Sequence, residues 1–291
     1  MKKILILGAS GLLGHVIFNY FSGRNYFETY GTIRPKSKKH LNKYFRNYKN
    51  IFLKDPLNSD QDKIIFKEIN FDIVINCISL SRQNHSSYME KDFKYIYYNI
   101  PYQLYELSKK HNFKFINLSS DGVYRGTKGN YGEKDATDSR DYYGIYKSKA
   151  ENISDEILTI RTSIIGHEIK EKLSLLEWVI NSKNQIFGYK RVMYSGLTSL
   201  ELAKILDNII LSSKNFEGLF NVSGPIISKY DLLRLINSVY ELNLVINVDN
   251  SNVLDRSLND DKFRNFINLD KKSWRMMLSE LKTNPHAVKN I

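Results

Sequence analysis

The sequence predicts an α/β fold, a Rossmann-type doubly wound parallel sheet with a smaller C-terminal α/β substrate lobe. Short apolar runs alternate with helix-length segments over the first 165 residues, which is the pattern of repeated βαβ units. The first run leads into a glycine-rich turn, and a later run ends in Ser119-Ser120 ahead of a helix-like segment. We therefore expect a dinucleotide-binding domain over residues 1–165 and a substrate lobe over residues 166–291, with some segments of the lobe returning to the first domain.

Composition limits the classes of function. The 291 residues carry a net charge of +12, but the basic residues are scattered, which favours small polyanions such as dinucleotides and sugar nucleotides over nucleic acid. The single cysteine excludes an intramolecular disulfide framework and fits a reducing, cytoplasmic compartment. No run approaches the ~20 apolar residues of a membrane span, and no metal-ligand spacing stands out. We expect no membrane or metal partner, and a homodimer is one option for assembly.

The first apolar run, residues 3–7, indicates a strand that is buried on both faces of a parallel sheet. It breaks at G-A-S-G-L-L-G, and a helix follows to about residue 21. In this context Gly8 permits the tight turn, Gly11 lets the backbone approach a pyrophosphate, and Gly14 lets the helix pack close to the strand. The cofactor-binding candidates in the turn are Gly8, Ser10, Gly11, Leu12, Leu13 and Gly14.

The second predicted strand, residues 27–33, should end beside the adenosine ribose of a bound dinucleotide. Folds specific for NAD place an acidic residue there, whereas this strand runs into Thr32, Arg34 and Lys36. The sequence therefore favours NADPH over NADH. A third strand over residues 50–54 leads to Asp55 and Leu57, which we expect to border the adenine.

A helix over residues 59–69 precedes a fourth predicted strand, residues 71–79, whose end should run beside the cofactor with Cys77, Ile78 and Ser79. The polar stretch 80–85, which contains Arg82, is expected to line the substrate pocket. A long helix then extends to about residue 110. It carries Asn99, a further cofactor candidate, although an Asn close before a Pro can also mark a kink.

The candidate chemistry lies in residues 113–150. An apolar run delivers Ser120 at a strand end, and after a polar loop Tyr143 and Lys147 follow one helical turn apart. The pKa of a free phenol is ~10, and a neighbouring ammonium lowers it, so Lys147 would tune Tyr143 for proton transfer while Ser120 hydrogen-bonds the same substrate oxygen. The Tyr-x-x-x-Lys pattern also begins at Tyr105 and Tyr124, but only the third match begins a helix after a strand that ends in Ser-Ser.

A sixth predicted strand, residues 157–165, places Ser163 at the same carboxyl edge as Gly8 and Ser120, where such sheets bind ligands. Beyond it, helices are predicted over residues 173–180, 199–211, 229–240 and 272–281, with a strand-like segment over 218–222. The substrate-binding candidates are Arg82, Asp121, Trp178, Arg191 and Arg256. The last two arginines are either ligands of a second pyrophosphate or ordinary surface residues.

Five segments together resemble the extended short-chain dehydrogenase/reductases, most closely the dTDP-4-dehydrorhamnose reductase branch: GASGLLG, LSSDGVYRGTKGNYGEKD, YGIYKSKAE, IRTSIIG and RSLNDDKF. The resemblance covers nearly the whole chain. It implies that Ser120 takes the family's Ser/Thr position, that Tyr143 is the acid, and that Lys147 holds the nicotinamide ribose. Related 4,6-dehydratases usually carry Asp-Glu after the Ser/Thr. The chain has Asp121-Gly122 there, which disfavours elimination, although the reductases usually have a larger residue at the glycine.

We therefore expect NADPH-dependent reduction of the C4 keto group of a nucleotide-linked 6-deoxy-4-ketohexose, with NADH as a second option, in deoxysugar and surface-polysaccharide biosynthesis. Two alternatives stay open. One is a nucleotide-sugar C4 epimerase that keeps its NAD tightly bound. The other is a non-catalytic NADP-binding regulatory subunit, since a fold can be kept after its catalytic activity is lost. The sequence does not specify the nucleotide, the sugar or the stereochemistry of reduction.

Overall fold

The chain forms a seven-stranded sheet in a computed structural model that describes residues 1–45, 48–55, 65–80, 86–170, 172–212 and 214–286. All neighbouring strands of this sheet pair in parallel. The predicted Rossmann-type α/β fold is confirmed. In order across the sheet, the strands are β11 (Gly218–Asn221), β6 (Leu158–Thr162), β5 (Lys114–Ser120), β4 (Ile73–Asn76), β1 (Lys2–Leu7), β2 (Phe27–Ile33) and β3 (Ile51–Leu53).

The sheet is doubly wound because its apolar strands bury side chains on both faces. In β1, Ile4 and Ile6 belong to one core cluster, whereas the alternating residues Leu5 and Leu7 belong to another. This is the consequence of the two-residue period of a strand. A continuous apolar run therefore requires a layer of helices on each side of the sheet.

The helices pack on both faces of the sheet and in the C-terminal part of the chain. Several begin with a side-chain cap that the sequence carries: Asp141, Ser174, Thr198, Ser228 and Ser273 each accept a hydrogen bond from the backbone N–H of the third following residue. The helices are α1 (Gly14–Ser22), α2 (Leu41–Tyr44), α3 (Glu90–Lys94), α4 (Ile100–His111), α5 (Tyr142–Glu151), α6 (Leu175–Asn181), α7 (Ser199–Leu211), α8 (Lys229–Tyr240), α9 (Asp261–Ile267) and α10 (Trp274–Thr283).

Two predicted elements are divided in the structure. The long helix that ends at His111 is interrupted by a π-helical turn, Tyr95–Asn99, just before Pro101, whose missing N–H cannot take part in a regular helical ladder. The predicted strand 157–165 ends at Thr162, and the next two residues form β7 (Ile164–Ile165), which pairs with β10 (Leu197–Thr198) outside the main sheet.

The C-terminal part is less regular than the pattern predicted. The helices predicted over residues 199–211 and 229–240 occur at those bounds, and the strand-like segment becomes β11 of the main sheet. Helix α9 and several short strands were not predicted. These strands are β8 (Gln185–Tyr189), β9 (Val192–Tyr194), β12 (Ile227–Ser228), β13 (Val245–Asp249) and β14 (Leu254–Asp255). The division at residue 165 into two domains stays a prediction.

The segment after β14 holds the loop that follows the Ser119-Ser120 strand. Tyr131 pairs with Leu258 in a β-bridge, and its N–H donates to the Ser257 carbonyl at 2.8 Å. The Asn259 N–H donates to the Tyr131 carbonyl at 2.8 Å. The late RSLNDDKF segment therefore fixes a loop more than 120 residues earlier in the chain.

Candidate active site

A large cavity opens at the carboxyl ends of the central strands, where parallel α/β sheets bind their ligands. Its volume is about 1090 Å³. It brings together most of the predicted cofactor residues, all three predicted catalytic residues and one predicted substrate residue. These are Gly8, Ser10, Gly11, Leu12, Leu13, Thr32, Arg34, Asp55, Cys77, Ile78, Ser79, Ser120, Tyr143, Lys147, Ser163 and Trp178.

The other predicted site residues either fall outside the described part of the chain or do not line the cavity. Leu57 and Arg82 are outside the described residues. Gly14, Asn99, Asp121, Arg191 and Arg256 do not line the cavity. Arg191 is exposed between β8 and β9, and its carbonyl accepts a hydrogen bond from the Leu254 N–H at 3.1 Å. Arg256 packs against the loop at Gly126, where an added Cβ would lie 2.8 Å from Cγ of the arginine. Neither arginine lines the cavity, and only Arg256 is in contact with this loop.

The glycine-rich turn has the shape of a phosphate cradle. Gly8 has a φ of +74°, and a Cβ there would lie 3.0 Å from the Cys77 carbonyl oxygen. A Cβ at Gly14 would lie 2.3 Å from the Gly8 carbonyl oxygen, so the helix approaches the turn as closely as only glycine allows. The Gly8 N–H donates to Thr32 Oγ1 at 3.1 Å, which ties the turn to the end of β2. These residues fit a dinucleotide whose pyrophosphate lies against the turn.

Ser120 is the last residue of β5, and its hydroxyl is held by two hydrogen bonds to the residues that follow it. Its Oγ accepts a hydrogen bond from the Gly122 N–H at 3.0 Å and donates to Asp121 Oδ1 at 3.1 Å. Ser119, one residue earlier, instead donates to Glu151 Oε1 at 2.5 Å. Both serines line the cavity, and Ser119 in addition helps to fix helix α5.

Tyr143 enters the cavity from the first turn of α5 because two glycines leave room for it. Asp141 caps the helix by accepting from the Gly144 N–H at 2.7 Å, and a Cβ at Gly144 would lie 2.3 Å from the Gly122 carbonyl oxygen. A Cβ at Gly122 would lie 2.8 Å from Cε1 of the tyrosine ring. The small residue at position 122 thus sets the position of the phenol in this chain.

Lys147 lies one turn below the tyrosine and is buried. Its Nζ donates to the Leu118 carbonyl at 2.5 Å and lies 4.9 Å from the centre of the Tyr97 ring. Burial lowers the pKa of Lys147 to about 8, and the Glu151 carboxylate one turn further along the helix opposes this shift. Tyr143, Lys147 and Glu151 follow one another at intervals of four residues, so the sequence carried this signal although the glutamate was not predicted.

Tyr97 is a second residue that the sequence did not indicate. Its ring meets that of Tyr143 edge to face, with centroids 5.0 Å apart and an angle of 87°. Its hydroxyl lies 2.9 Å from Ser79 Oγ and accepts a hydrogen bond from the Leu80 N–H at 2.9 Å. The π-helical turn that contains Tyr97 therefore supports both the phenol and the edge of the cavity. No spacing in the sequence relates these residues.

A buried ion pair supports α5 from below. Arg161 in β6 donates through Nη2 to Glu151 Oε2 at 2.7 Å and through Nε to Oε1 at 3.0 Å, and both side chains are no more than 3% exposed. Arg161 Nη1 also donates to the Tyr124 hydroxyl at 2.6 Å and to Asn221 Oδ1 at 3.3 Å. One guanidinium thus joins helix α5, the loop after β5 and two strands of the sheet.

Two histidines form a hydrogen-bonded pair behind the glycine-rich turn. His15 Nδ1 lies 2.8 Å from the Gly11 carbonyl, which can only accept, so this nitrogen carries the proton. His15 Nε2 then accepts from His286 Nδ1 at 2.9 Å. Burial lowers the pKa of His15 to about 3 and that of His286 to about 4. The C-terminal segment is joined in this way to the helix that follows the turn.

Acidification should weaken the fold through His15. Its folded pKa is depressed, so the unfolded chain takes up a proton first as the pH falls below ~6.5. The free energy of unfolding should therefore decrease by about 2 kcal/mol between pH 7 and pH 5 through this group alone. Urea unfolding at several pH values measures the slope. A His15→Asn variant, which keeps a donor for the Gly11 carbonyl, should lose less stability over the same range, and an equally steep loss would contradict the assignment.

Among the described residues, no group of three or more His, Cys, Asp and Glu side chains is placed to hold a metal ion. Within the same residues, no helix is both long enough and apolar enough to cross a bilayer.

A doubly wound sheet with a glycine-rich turn and a Ser/Tyr/Lys set in one crevice defines the short-chain dehydrogenase/reductase class. The chain belongs to the NAD dependent epimerase/dehydratase family, whose model matches residues 4–157, more than half of its length. The members of this family use a nicotinamide cofactor, and the cradle described above fits one. No curated protein sequence matches the chain.

Solved structures with the same fold include enzymes of different activities. A hypothetical dTDP-4-dehydrorhamnose reductase from Sulfolobus tokodaii is 22% identical, with a TM-score of 0.76 and coverage of 94% of this chain and 97% of that one. The dTDP-4-dehydrorhamnose reductase of Bacillus anthracis, in complex with NADP, is 17% identical with a TM-score of 0.78, covering 98% and 99%. The ADP-L-glycero-D-manno-heptose-6-epimerase of Helicobacter pylori is 13% identical with a TM-score of 0.79, covering 99% and 97%. At these identities the likeness concerns the fold.

Proposed function

We propose that the protein reduces the C4 keto group of a nucleotide-linked 6-deoxy-4-ketohexose with NADPH. The observation that carries the proposal is that Ser120, Tyr143 and Lys147 line the same cavity as the glycine-rich turn. Solved structures of similar fold named as dTDP-4-dehydrorhamnose reductases, one of them in complex with NADP, support this choice. The product would be a deoxysugar donor for surface polysaccharide, made in the cytoplasm.

In the proposed reaction the residues of the chain handle the proton and the orientation of the carbonyl. NADPH supplies the hydride when it is bound. Tyr143 donates its phenolic proton to the C4 oxygen. The Ser120 hydroxyl, which has one proton and donates it to Asp121 Oδ1 in the structure, rotates to donate a second hydrogen bond to the same oxygen. The ammonium of Lys147, on the same helix face, favours the phenolate that is left behind.

The residue after Asp121 supports reduction over dehydration. Elimination of water from the sugar requires an additional acid or base, and the related dehydratases carry a glutamate in that position. Gly122 offers no side chain, and its Cα region is filled by the Tyr143 ring, because a Cβ there would lie 2.8 Å from the ring. A glutamate could not be introduced without moving the tyrosine.

The experiment that tests the proposal offers the purified enzyme a panel of dTDP-, UDP- and GDP-linked 4-ketosugars and follows the loss of NADPH absorbance. We expect stoichiometric oxidation of NADPH with at least one of them. If the protein instead retains NAD through purification and interconverts sugar epimers without net oxidation, it is a C4 epimerase and the proposal is wrong. If it binds NADPH but turns over none of the sugars, the regulatory-subunit alternative gains support.

A further inference from the structure

A cation from the C-terminal half of the chain reaches across the cavity to the glycine-rich turn. Lys170, in the connection that follows β7, donates through Nζ to Ser37 Oγ and lies 3.5 Å from Ser10 Oγ. The two serine hydroxyls are themselves 3.4 Å apart. One ammonium and two hydroxyls, from three segments distant in sequence, therefore converge on one point.

The position of this group identifies the part of a dinucleotide that it would meet. Ser10 belongs to the turn after β1, and Ser37 is buried in the 3-10 helix Pro35–His40, which begins immediately after Arg34 and β2. In a doubly wound fold the end of β2 lies beside the adenosine ribose. The convergence therefore occurs next to the ribose 2′ position rather than at the nicotinamide end of the cavity.

The chemistry of the surroundings fits a phosphate there. Arg34, Lys36, Lys54 and Lys170 all line this cavity, and Lys54 is 4% exposed. Asp55 and Glu168 are the two carboxylates that line the described part of the cavity. With Lys147 and Lys229, the described lining carries six cationic side chains against these two carboxylates, so this cavity has an excess of positive charge. Serine hydroxyls can rotate to donate, and a lysine ammonium supplies up to three donors, which suits the acceptor oxygens of a phosphate monoester.

We propose that Lys170, with Ser10 and Ser37, binds the 2′-phosphate of NADP(H), so that a residue outside the nucleotide-binding half of the chain sets the cofactor preference. The inference rests on the proposed function for the identity of the cofactor. It assigns the preference for NADPH over NADH to the contact of Lys170 with Ser10 and Ser37, which lie more than 130 residues earlier in the chain. The hydrogen bonds of Lys170 to the two serines hold its ammonium at the site that the phosphate would share.

Direct binding tests the assignment without any sugar substrate. NADPH and NADH are titrated separately into the full-length protein, and the quenching of protein fluorescence gives a Kd for each. We expect Lys170→Gln to raise the Kd for NADPH by about 10- to 100-fold, since hydrogen bonds to charged groups are among the strong ones. The Kd for NADH should change by less than about twofold, because NADH lacks the phosphate that the lysine contacts.

Lys172→Gln is the matched control, because Lys172 is exposed in the same connection and does not line the cavity. It should leave both constants unchanged, and unchanged urea midpoints should show that both variants fold. An equal loss of NADPH and NADH affinity in Lys170→Gln would overturn the inference, because it would indicate a pyrophosphate contact. Unchanged affinity for NADPH would overturn it as well. Since no ketosugar is present, failure of the reductase proposal in the substrate panel would be a separate result.

Discussion

Replacing Tyr143 with phenylalanine should lower kcat for ketosugar reduction by about 10²- to 10⁴-fold, the range expected when a positioned general acid is removed. The substitution takes away the hydroxyl and keeps the ring. The ring packs against Gly122 and meets Tyr97 edge to face, so the surrounding structure should be preserved. The Kd for NADPH should change little. Steady-state kinetics with the best ketosugar of the panel, together with fluorescence titration of NADPH, measure the two quantities.

The adjacent tyrosine supplies the control. Tyr142 lies on the same helix but is 46% exposed, and the cavity lining does not include it. Tyr142→Phe should therefore retain nearly full activity. If Tyr143→Phe were as active as Tyr142→Phe, the acid would have to be another group, and the proposed roles of Ser120 and Lys147 would fail with it. A loss of NADPH binding that accounted for the whole decrease would assign the hydroxyl to the cofactor instead.

The parts of the site that could be predicted are those set by local spacing. Gly8, Gly11 and Gly14 act within one turn, and Tyr143 and Lys147 share a helix face because four residues separate them. The spacing of apolar residues within a helix is also a local feature of the sequence. For this reason helices α7 and α8 were predicted at their observed bounds. Such features depend on the periods of helix and strand and on little else.

The parts that were missed depend on contacts between distant segments. Tyr97 supports the phenol from a π-helical turn, and Lys170 reaches Ser10 from 160 residues away. No periodicity relates such positions, and their contacts exist only after the sheet has formed. Arg256 illustrates the same limit. Its residue type predicted either a ligand of a second pyrophosphate or an ordinary surface residue, and nothing in the sequence indicated that the segment after it pairs with the loop after β5, where Leu258 forms a bridge with Tyr131.

The second large effect is expected on stability, from the buried ion pair between Arg161 and Glu151 of helix α5. Arg161→Met should destabilise the protein by about 3–5 kcal/mol, because it leaves the Glu151 carboxylate buried without its cationic partner. Urea unfolding measures the loss. A double variant, Arg161→Met with Glu151→Gln, should regain much of it, since removing both charges abolishes the uncompensated one. Equal stability of the single variant and the wild type would show that the pair contributes nothing.

The double variant also separates the structural role of Glu151 from its electrostatic one. The pKa of Lys147 is about 8, lowered by burial and held up in part by the Glu151 carboxylate. If the reaction requires Lys147 as a cation, wild-type activity should decline as the pH rises through about 8. Without the carboxylate the pKa of Lys147 should be lower still, so activity should decline at a lower pH than in the wild type. A folded double variant with an unshifted alkaline limb would mean that Glu151 stabilises the helix without affecting the charge of the lysine.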